Sequence, residues 1–426
     1  MTQKWDVVIV GGGLAGYVAA NYLSKTNLSI TLLEKGKSIG GRARTKKVNQ
    51  QYFNLGPHAL YKNGTAKLIL EELGINLRGK SPKLSGKIVG SDTDYATPFS
   101  PFGVLTTRLF NTKERLEWIG VLLKMMRIDP KSLTEQTFQQ WVNQVSQSRN
   151  IKSSLFTLSR LATYCHAPDK TSAEVTLSCI KNTMGGVLYL DGGWMTMIDQ
   201  LHHKAILSDV QVQPHMLVKQ IEPSHQDRIK LFLSGGEEIL AKYVICTTGP
   251  HELNEMLSKK IEFPQRDFLS QIIPVRGATL DVALTQLPNQ KQLFAMDNTN
   301  SLYYSVHSNY ACLSDNPMNA ILHVFKYLHP DEHIDGIIIK NELELLLDKL
   351  QPGWQQFVIS KRFIPNIIVN QRLPQVGDER MLLSAKTGIP GLYIAGDWAS
   401  PHTILADGAI SSGKKAAVEI ILNEKR

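Results

Sequence analysis

Residues 7–16 read Val7-Val8-Ile9-Val10-Gly11-Gly12-Gly13-Leu14-Ala15-Gly16, an apolar run that leads into a glycine-rich turn. The apolar run is typical of a buried β-strand, and the apolar spacing over 14–25 predicts a helix directly after the turn. Gly11 permits the tight turn, Gly13 lets the backbone approach a ligand, and Gly16 lets the helix pack closely on the sheet. The GxGxxG motif therefore stands between a predicted strand and a predicted helix, which is the arrangement that the motif requires.

A second β-rich run over 29–33 ends at Glu34, so that residues 5–35 form one predicted βαβ unit. Unpaired N–H groups and the positive end of the helix dipole favour two phosphates at the glycine turn. A carboxylate at position 34 can accept hydrogen bonds from ribose hydroxyls and would repel a 2′-phosphate. The alternative, a glycine turn with an exposed glutamate, does not explain the motif, its framing and the acidic residue together. We predict a dinucleotide site.

The segment after Glu34 contains Gly40-Gly41-Arg42-Ala43-Arg44-Thr45. Paired glycines let the backbone pass close to a ligand, and Arg42 can neutralise phosphate charge. The segment resembles the second motif of flavin amine oxidases, phytoene desaturases and protoporphyrinogen oxidases, in which it wraps the pyrophosphate of FAD. Residues 54–58, Asn-Leu-Gly-Pro-His, resemble the family segment beside the flavin ring. The resemblance implies FAD as the cofactor.

Further segments extend the resemblance, which covers roughly the first 75 residues, about 186–250 and the last 36. Residues 216–221 are similar to the strand whose valine backbone meets the adenine, which implies Val218. Residues 391–398 and 407–413 are similar to the closing motif, which implies that Asp397 bonds the ribityl chain. The motif also implies that a helix beginning near Ala409 points its N–H groups at the N1/O2 edge of the flavin. The motifs and the resemblance together assign to FAD the residues Gly11, Gly13, Ala15, Gly16, Glu34, Lys35, Gly41, Arg42, Ala43, Gly56, Pro57, His58, Val218, Gly396, Asp397, Gly408, Ala409 and Ile410.

Residues 408–414 also spell GxxxxGK, the beginning of a P-loop. Lys415 stands where serine or threonine must hold magnesium, and no predicted strand runs into Gly408. The sequence therefore disfavours a nucleoside triphosphate site there.

The predicted fold is α/β, with an FAD-binding Rossmann-type (GR2-like) domain and an inserted substrate domain of mixed sheet and helices. The FAD-binding domain is expected to be discontinuous, from 1–85, 190–255 and 375–426, and the substrate domain with its helical cap to comprise 86–189 and 256–374. Periodicity predicts helices over 113–127, 135–145, 153–164 and 337–350, strands over 279–284, 302–307, 320–325 and 392–395, and a β-meander over 210–250 with strands at 210–218, 229–233 and 243–247.

Composition describes a folded protein, since 42% of the 426 residues are hydrophobic and 20% are charged. The net charge of +9 favours anionic partners in general, but no basic block supports nucleic-acid binding. Four scattered cysteines indicate free thiols in a reducing cytoplasm, and the segment His-Pro-Asp-Glu-His at 329–333 is not HExxH, so no metal site is expected. Neither a signal peptide nor an apolar window of about 18 residues is found, so the protein is expected in the cytoplasm.

The source of the electrons that would reduce the flavin can be inferred from the other motifs of the sequence. No second GxGxxG and no redox-active cysteine pair is present, so electrons are expected to come directly from the substrate. Amine oxidases of the family carry an aromatic residue where this chain has Leu405, which favours an apolar substrate, although simple packing explains Leu405 equally well. Residues 189–195 resemble a desaturase stretch. The leading hypothesis is FAD-dependent oxidation or desaturation of a hydrophobic small molecule. The alternatives are an amine oxidase, a protoporphyrinogen-oxidase-like enzyme, and a structural flavoprotein or lipid-binding module.

Two histidines are candidate bases, His58 beside the predicted flavin-facing turn and His402 after Asp397, and each has a structural alternative. An apolar stripe over 116–126 with basic neighbours predicts an amphipathic helix, either a cap packed on the substrate domain or a peripheral membrane contact. The substrate, the electron acceptor, the oligomeric state, the catalytic base and the choice between net oxidation and isomerisation stay open.

Overall fold

The computed structural model describes residues 3–83, 85–90, 93–224, 228–258, 261–382 and 384–425. Its strands are β1 (Gln3–Val10), β2 (Ile30–Glu34), β3 (Thr45–Val48), β4 (Gln51–Asn54), β5 (Leu60–Tyr61), β6 (Gly79–Lys80), β7 (Lys87–Val89), β8 (Tyr95–Ala96), β9 (Val187–Leu190), β10 (Gln211–Pro214), β11 (Val218–Ser224), β12 (Arg228–Leu233), β13 (Glu238–Cys246), β14 (Val275–Leu284), β15 (Phe294–Asp297), β16 (Leu302–Val306), β17 (Ala320–Tyr327), β18 (Val358–Asn370) and β19 (Leu392–Ile394). Its α-helices are α1 (Leu14–Leu23), α2 (Thr65–Glu72), α3 (Pro101–Thr106), α4 (Thr112–Arg127), α5 (Phe138–Val145), α6 (Arg149–Thr163), α7 (Ala173–Met184), α8 (Met195–Leu207), α9 (Pro250–Met256), α10 (Arg266–Gln271), α11 (Gly336–Leu350) and α12 (Leu405–Glu424).

The first sheet has the strand order β10-β2-β1-β13-β12-β11, and β19 also pairs with β13. β1 lies parallel to both β2 and β13, and its last four residues are fully apolar and buried, as expected for a strand covered on both faces. Helix α1 is buried along its whole length because it packs between this sheet and the helices α8 and α12. All strands of this sheet fall within the three stretches predicted for the FAD-binding domain.

The second sheet has the order β18-β14-β17-β16-β15-β7-β8 and packs against α11. Its strands fall within 86–189 and 256–374. A separate apolar cluster unites helices α3 to α7 as a cap around Trp118, Phe138 and Trp141. The α/β fold predicted from the sequence is confirmed. The division into two domains remains our proposal, supported by the way the strands divide between the sheets.

Some sequence predictions of secondary structure were wrong. The single strand expected over 210–218 is two strands, β10 parallel to β2 and β11 antiparallel to β12, because the chain turns at His215 with φ +61°. β18 was missed; it is an edge strand that contains Pro365 and does not alternate in burial. Residues 408–414 lie inside α12, which excludes a phosphate-binding loop there.

Helix α4 packs in the cap through Trp118, Val121 and Met125. Of the five residues in the predicted apolar stripe, Leu122 packs against the cap cluster, whereas Leu116, Ile119, Leu123 and Met126 are exposed. The helix is therefore part of the cap, and the role of the four exposed residues of the stripe stays a prediction.

Candidate functional site

The glycines of the turn between β1 and α1 differ in backbone conformation and in the space around them. Gly11 has φ +112°, and a Cβ at Gly16 would lie 2.1 Å from the carbonyl oxygen of Gly11. A Cβ at Gly13, by contrast, would meet no atom within 4 Å. Helix α1 begins there without a side-chain cap, so its first N–H groups have no side-chain acceptor. The turn has the packed glycines and the open glycine that a bound diphosphate needs.

Glu34 ends β2 beside this turn. Its carboxylate accepts hydrogen bonds from the backbone N–H of Gly12 at 2.8 Å and of Gly36 at 2.7 Å. These two donors fix the carboxylate and leave lone pairs for ribose hydroxyls. The backbone N–H of Met216 donates to the Glu34 carbonyl, which places the start of β11, with the buried Val218, next to the end of β2.

The second motif lies directly over the first. The backbone N–H of Gly40 donates to the Gly12 carbonyl at 2.6 Å, and a Cβ at Gly41 would lie 3.5 Å from the Cα of Gly13. Ala43 is buried in the core behind this segment. The side chain of Lys35 points away, 63% exposed and 4.0 Å from Glu252.

Arg42 and Asp397 join the second motif to the closing motif. Two guanidinium nitrogens of Arg42 donate to the two carboxylate oxygens at 2.5 and 2.7 Å, and the Gln371 N–H donates to the same carboxylate. Burial lowers the pKa of Arg42, but the charge and hydrogen bonds of Asp397 outweigh burial and leave this pKa above its ordinary value. Arg42 and Asp397 are 355 positions apart in the chain and were predicted to contact different parts of the cofactor. Their ion pair brings them together.

The first turn of α12 packs against the loop that carries Asp397. A Cβ at Gly408 would lie 2.8 Å from the Asp397 carbonyl oxygen, and the Ser412 hydroxyl bonds both the N–H and the carbonyl of Gly396. The side chain of Ile410 is fully buried in the core, so only its backbone can face a ligand. The N-cap residue of α12, Ile404, makes no side-chain cap bond, and the first N–H of the helix, that of Leu405, donates to the side-chain oxygen of Asn370 at 2.9 Å.

The turn Gly56-Pro57-His58 lies between the two sheets. The His58 ring nitrogens lie 3.1 Å from the Gly56 carbonyl oxygen and 3.2 Å from the Arg42 carbonyl oxygen, and the ring meets Trp194 edge-on. Burial lowers the pKa of His58 to about 4. The ring therefore holds the turn against the second motif; its catalytic role stays a prediction. The other candidate, His402, lies 2.8 Å from Glu174 of the cap.

A cavity of about 40 Å³ lies beside this turn. Ala59 and Leu405 line it, and the hydroxyl of Tyr164 in its wall donates to the Pro57 carbonyl at 2.9 Å. The cavity thus meets the segment resembling the flavin-facing turn and the first residue of α12. Its wall also contains Tyr61, Leu161, Tyr189, Phe294 and Tyr303, together with Lys83.

A buried polar network that was not predicted from the sequence lies behind this cavity. Asp281 in β14 accepts from the ring of His323 at 2.6 Å and from the guanidinium of Arg362 at 2.5 and 3.0 Å. The ring of His307 lies 4.5 Å from that of His323 and stacks on Tyr189 at 3.8 Å, so the network reaches the cavity wall. Burial raises the pKa of Asp281, but His323 and Arg362 outweigh it and hold the pKa below its ordinary value. The available signal was an aspartate within the apolar end of a predicted strand, at Leu280-Asp281-Val282-Ala283-Leu284.

The parallel strands, the open glycine turn and the start of α1 form a crevice of the dinucleotide-binding kind, and its residues fit FAD. The chain belongs to the family described as flavin containing amine oxidoreductase, whose profile matches residues 14–421. The predicted family, the FAD cofactor and the oxidoreductase class are thereby confirmed. The individual contacts to FAD stay predictions.

Similarity to individual proteins is either local or distant. Rat flavin-containing amine oxidase B is 34% identical over 107 residues, 24% of this chain and 20% of that protein. The chain spans about a fifth or less of the first curated relatives that it matches. The 15-cis-phytoene desaturase of Capsicum annuum is 21% identical over 99% of this chain and 78% of that protein. An oxidoreductase structure from Methanosarcina mazei has a TM-score of 0.77 at 16% identity, covering 99% of this chain and 100% of that chain, and shows the same fold.

Proposed function

We propose that the protein oxidises or desaturates a hydrophobic small molecule with FAD, in the manner of phytoene-desaturase-like enzymes. One observation carries this proposal: the apolar, aromatic cavity meets both the turn at Pro57 and the start of α12. Bound FAD supplies a two-electron acceptor for a hydride from a substrate carbon. The protein then needs to position that carbon and exclude water.

The cavity wall is suited to positioning rather than to proton transfer. Tyr61 and Tyr164 donate their hydroxyls to backbone carbonyls, so the faces of their rings are left for apolar contact. Burial raises the pKa of Tyr164, which keeps its hydroxyl protonated at neutral pH. The cavity of about 40 Å³ has room for only a small part of a substrate, and that part would be desolvated and held between aromatic rings.

An amine substrate fits this wall poorly. Among the described lining residues Lys83 is charged and no carboxylate is present, so a protonated amine would lose water without gaining a counter-charge. Leu405 occupies the position at which amine oxidases of the family carry an aromatic residue. We therefore favour a polyene or a ring of porphyrinogen type over an amine.

The test is to purify the protein, record its visible spectrum, and identify co-purifying lipid or pigment by mass spectrometry. Without oxygen, apolar candidates are expected to bleach the flavin absorbance, and an amine panel is expected to leave it unchanged and to give no peroxide in air. The matched variant Leu405→Tyr should slow bleaching by the apolar candidate. Rapid bleaching by an amine would overturn the proposal, and a flavin that only dithionite reduces would indicate a structural flavoprotein.

We also propose that the exposed face of α4 contacts an anionic membrane, which would deliver such a substrate. Beside its exposed apolar stripe, α4 and its N-terminal flank expose four cations, and the adjacent α3 exposes two large apolar residues. Apolar residues beside cations are complementary to anionic lipid. No helix among the described residues is long and apolar enough to cross a membrane. The cations are Arg108, Lys113, Lys124 and Arg127, and the apolar residues of α3 are Phe102 and Leu105.

Co-sedimentation with phosphatidylglycerol vesicles at low salt tests this contact. Binding is expected to fall at high salt, with pure phosphatidylcholine, and in the double variant Leu116→Ser/Met126→Ser. The double variant Leu345→Ser/Ile338→Ser, on the exposed face of α11, is the control. Equal sedimentation of both double variants would refute the contact.

A further inference from the structure

A second, open cleft of about 430 Å³ lies between the start of α6 and the end of β15. Its volume is in the range of small-molecule sites. Three cations line it from one face of α6, namely Arg149, Lys152 and Arg160. The other described lining residues are uncharged: Gln147, Ser153, Phe156 and Asn298. The cleft therefore carries positive charge without an acidic residue in its described wall.

Arg160 is the deepest of these cations. It is only 6% exposed, and its guanidinium donates to the Thr157 hydroxyl at 3.3 Å. Its Nε is buried and has no hydrogen-bond partner among the described residues. Burial lowers the pKa of Arg160, and the acidic groups that act against burial, Tyr327 and Asp297, offset it only in part. A buried guanidinium without an anion is costly, because burial removes its water and nothing replaces it.

Arg160 differs in this respect from other arginines that reach into the interior. Each of three such arginines donates to a carboxylate, at 2.5, 2.5 and 2.8 Å; they are Arg42, Arg362 and Arg372. No carboxylate of the described residues forms such an ion pair with Arg160, whose bond is to a neutral hydroxyl. The fold thus supplies an anion for its other interior arginines and leaves this one facing a cleft.

The two walls of the cleft are joined at Asn298, directly after β15. Its side-chain nitrogen donates to the Ser153 hydroxyl at 3.2 Å, and its side-chain oxygen accepts from the Thr157 hydroxyl. These bonds hold the end of β15 against α6, so the walls are fixed relative to each other. None of the described residues that line the cleft also lines the aromatic cavity. The cleft is therefore a separate site.

We propose that this cleft binds a small, soluble phosphate monoester, with its phosphate on Arg160. A phosphate monoester carries close to two negative charges near neutral pH, and its oxygens can accept from Nε and a second nitrogen of one guanidinium. The rim cations supply further charge: Arg149 is exposed, and the Lys152 ammonium donates to the neutral side chain of Asn143 at 2.9 Å. The half-buried Phe156 offers an apolar contact for the organic part. This site goes beyond the proposed function and does not depend on the substrate that the flavin oxidises.

Calorimetric titration with phenyl phosphate tests the inference. The protein is loaded with flavin, because bound FAD keeps the probe out of the glycine-rich crevice. Phenyl phosphate is expected to bind with a Kd of about 1 mM or tighter, and Arg160→Met to weaken binding about tenfold or more, as for loss of charge-assisted hydrogen bonds. The double variant Arg149→Gln/Lys152→Gln, at the rim, should also weaken binding. Arg380→Gln removes an exposed cation that pairs with Glu135 outside the cleft, and it should bind the probe as the parent does.

Urea denaturation without phosphate distinguishes a ligand-binding arginine from a structural one. Since no carboxylate compensates Arg160, Arg160→Met is expected to leave the urea midpoint unchanged or to raise it. Arg372→Met leaves the carboxylate of Asp378 without its partner in the interior and should lower the midpoint. A fall in Arg160→Met as large as that in Arg372→Met would show that Arg160 holds the fold together and would overturn the inference.

Two further probes of similar shape test the charge that the cleft requires. Benzenesulfonate, with one negative charge, should bind more weakly than phenyl phosphate, and the cation benzylamine should give no binding heat. Equal affinity for phenyl phosphate and benzenesulfonate, or unchanged affinity for phenyl phosphate in both cleft variants, would overturn the inference. Vesicles that contain phosphatidic acid test a lipid headgroup as the source of the phosphate. Sedimentation that Arg160→Met abolishes, in a protein that does not bind phenyl phosphate, would overturn the assignment to a soluble ester.

Discussion

The crevice for the cofactor and the cavity for the substrate are built by opposite means. The crevice is mostly backbone: glycines such as Gly11 and Gly16 that have no space for a side chain, the open Gly13, carbonyls that hold neighbouring segments, and the N-terminal ends of α1 and α12. The cavity is mostly side chains, contributed by the cap, by β9, by the second sheet and by α12. A crevice of backbone can bind one constant molecule, FAD, whereas a cavity of side chains can be changed residue by residue to suit different substrates.

The largest effect is expected behind the cavity, at Asp281. Replacing it with alanine leaves His323 and Arg362 without their shared acceptor in the interior, which should lower the free energy of unfolding by about 3 to 5 kcal/mol. Urea denaturation measures this loss. The control is Asp331→Ala, because Asp331 pairs with Lys170 at the surface and its loss should lower the free energy of unfolding far less. Equal losses in the two variants would show that the buried network does not hold the second sheet together.

The next effect separates two glycines of the crevice. Gly16→Ala drives a Cβ into the Gly11 carbonyl and should lower the free energy of unfolding by about 3 kcal/mol even without FAD. Gly13→Ala meets open space, so it should change that free energy by less than about 1 kcal/mol yet prevent FAD from being retained. Urea denaturation without FAD and the flavin absorbance after gel filtration give the two readouts. A yellow Gly13→Ala protein would contradict the position assigned to the diphosphate.

This contrast also explains what the sequence could predict. The crevice is encoded in local motifs, because each glycine or acidic residue acts within a few positions of its strand or helix. Its distant contacts, such as Arg42 with Asp397, followed only from the resemblance, which assigns both residues to one cofactor. The network at Asp281 depends on strand register, since His323 of β17 and Arg362 of β18 are its direct neighbours across the sheet. Neither the register nor the existence of β18 could be predicted from periodicity, so the network could not be predicted either.

A smaller effect depends on pH and tests how firmly the turn beside the crevice is held. The folded protein holds the pKa of His58 at about 4, below its ordinary value of 6.5, so the unfolded chain binds a proton more readily. As the pH falls from 6.5 to 4, the unfolded chain takes up a proton at His58 that the folded protein does not. The free energy of unfolding is therefore expected to fall over this window by about 2 kcal/mol, a value reduced because the ring is partly exposed. His58→Asn should flatten the fall of unfolding free energy over this window, measured without FAD. The exposed His203→Asn should keep the slope, and an unchanged slope in His58→Asn would show that the ring titrates freely.

The smallest expected effect is a gain in the free energy of unfolding, at a glycine that belongs neither to the crevice nor to the cavity. Gly120 lies exposed in the middle of α4, and a Cβ there would meet nothing within 4 Å. Gly120→Ala should therefore raise the free energy of unfolding by about 0.5 to 1 kcal/mol, because alanine restricts the unfolded chain and favours the helix. Flavin content should not change. A loss of stability would contradict the open space around Gly120. A loss of flavin would show that α4 and the crevice are coupled, so that the crevice could not be treated as independent of the side chains in the cap.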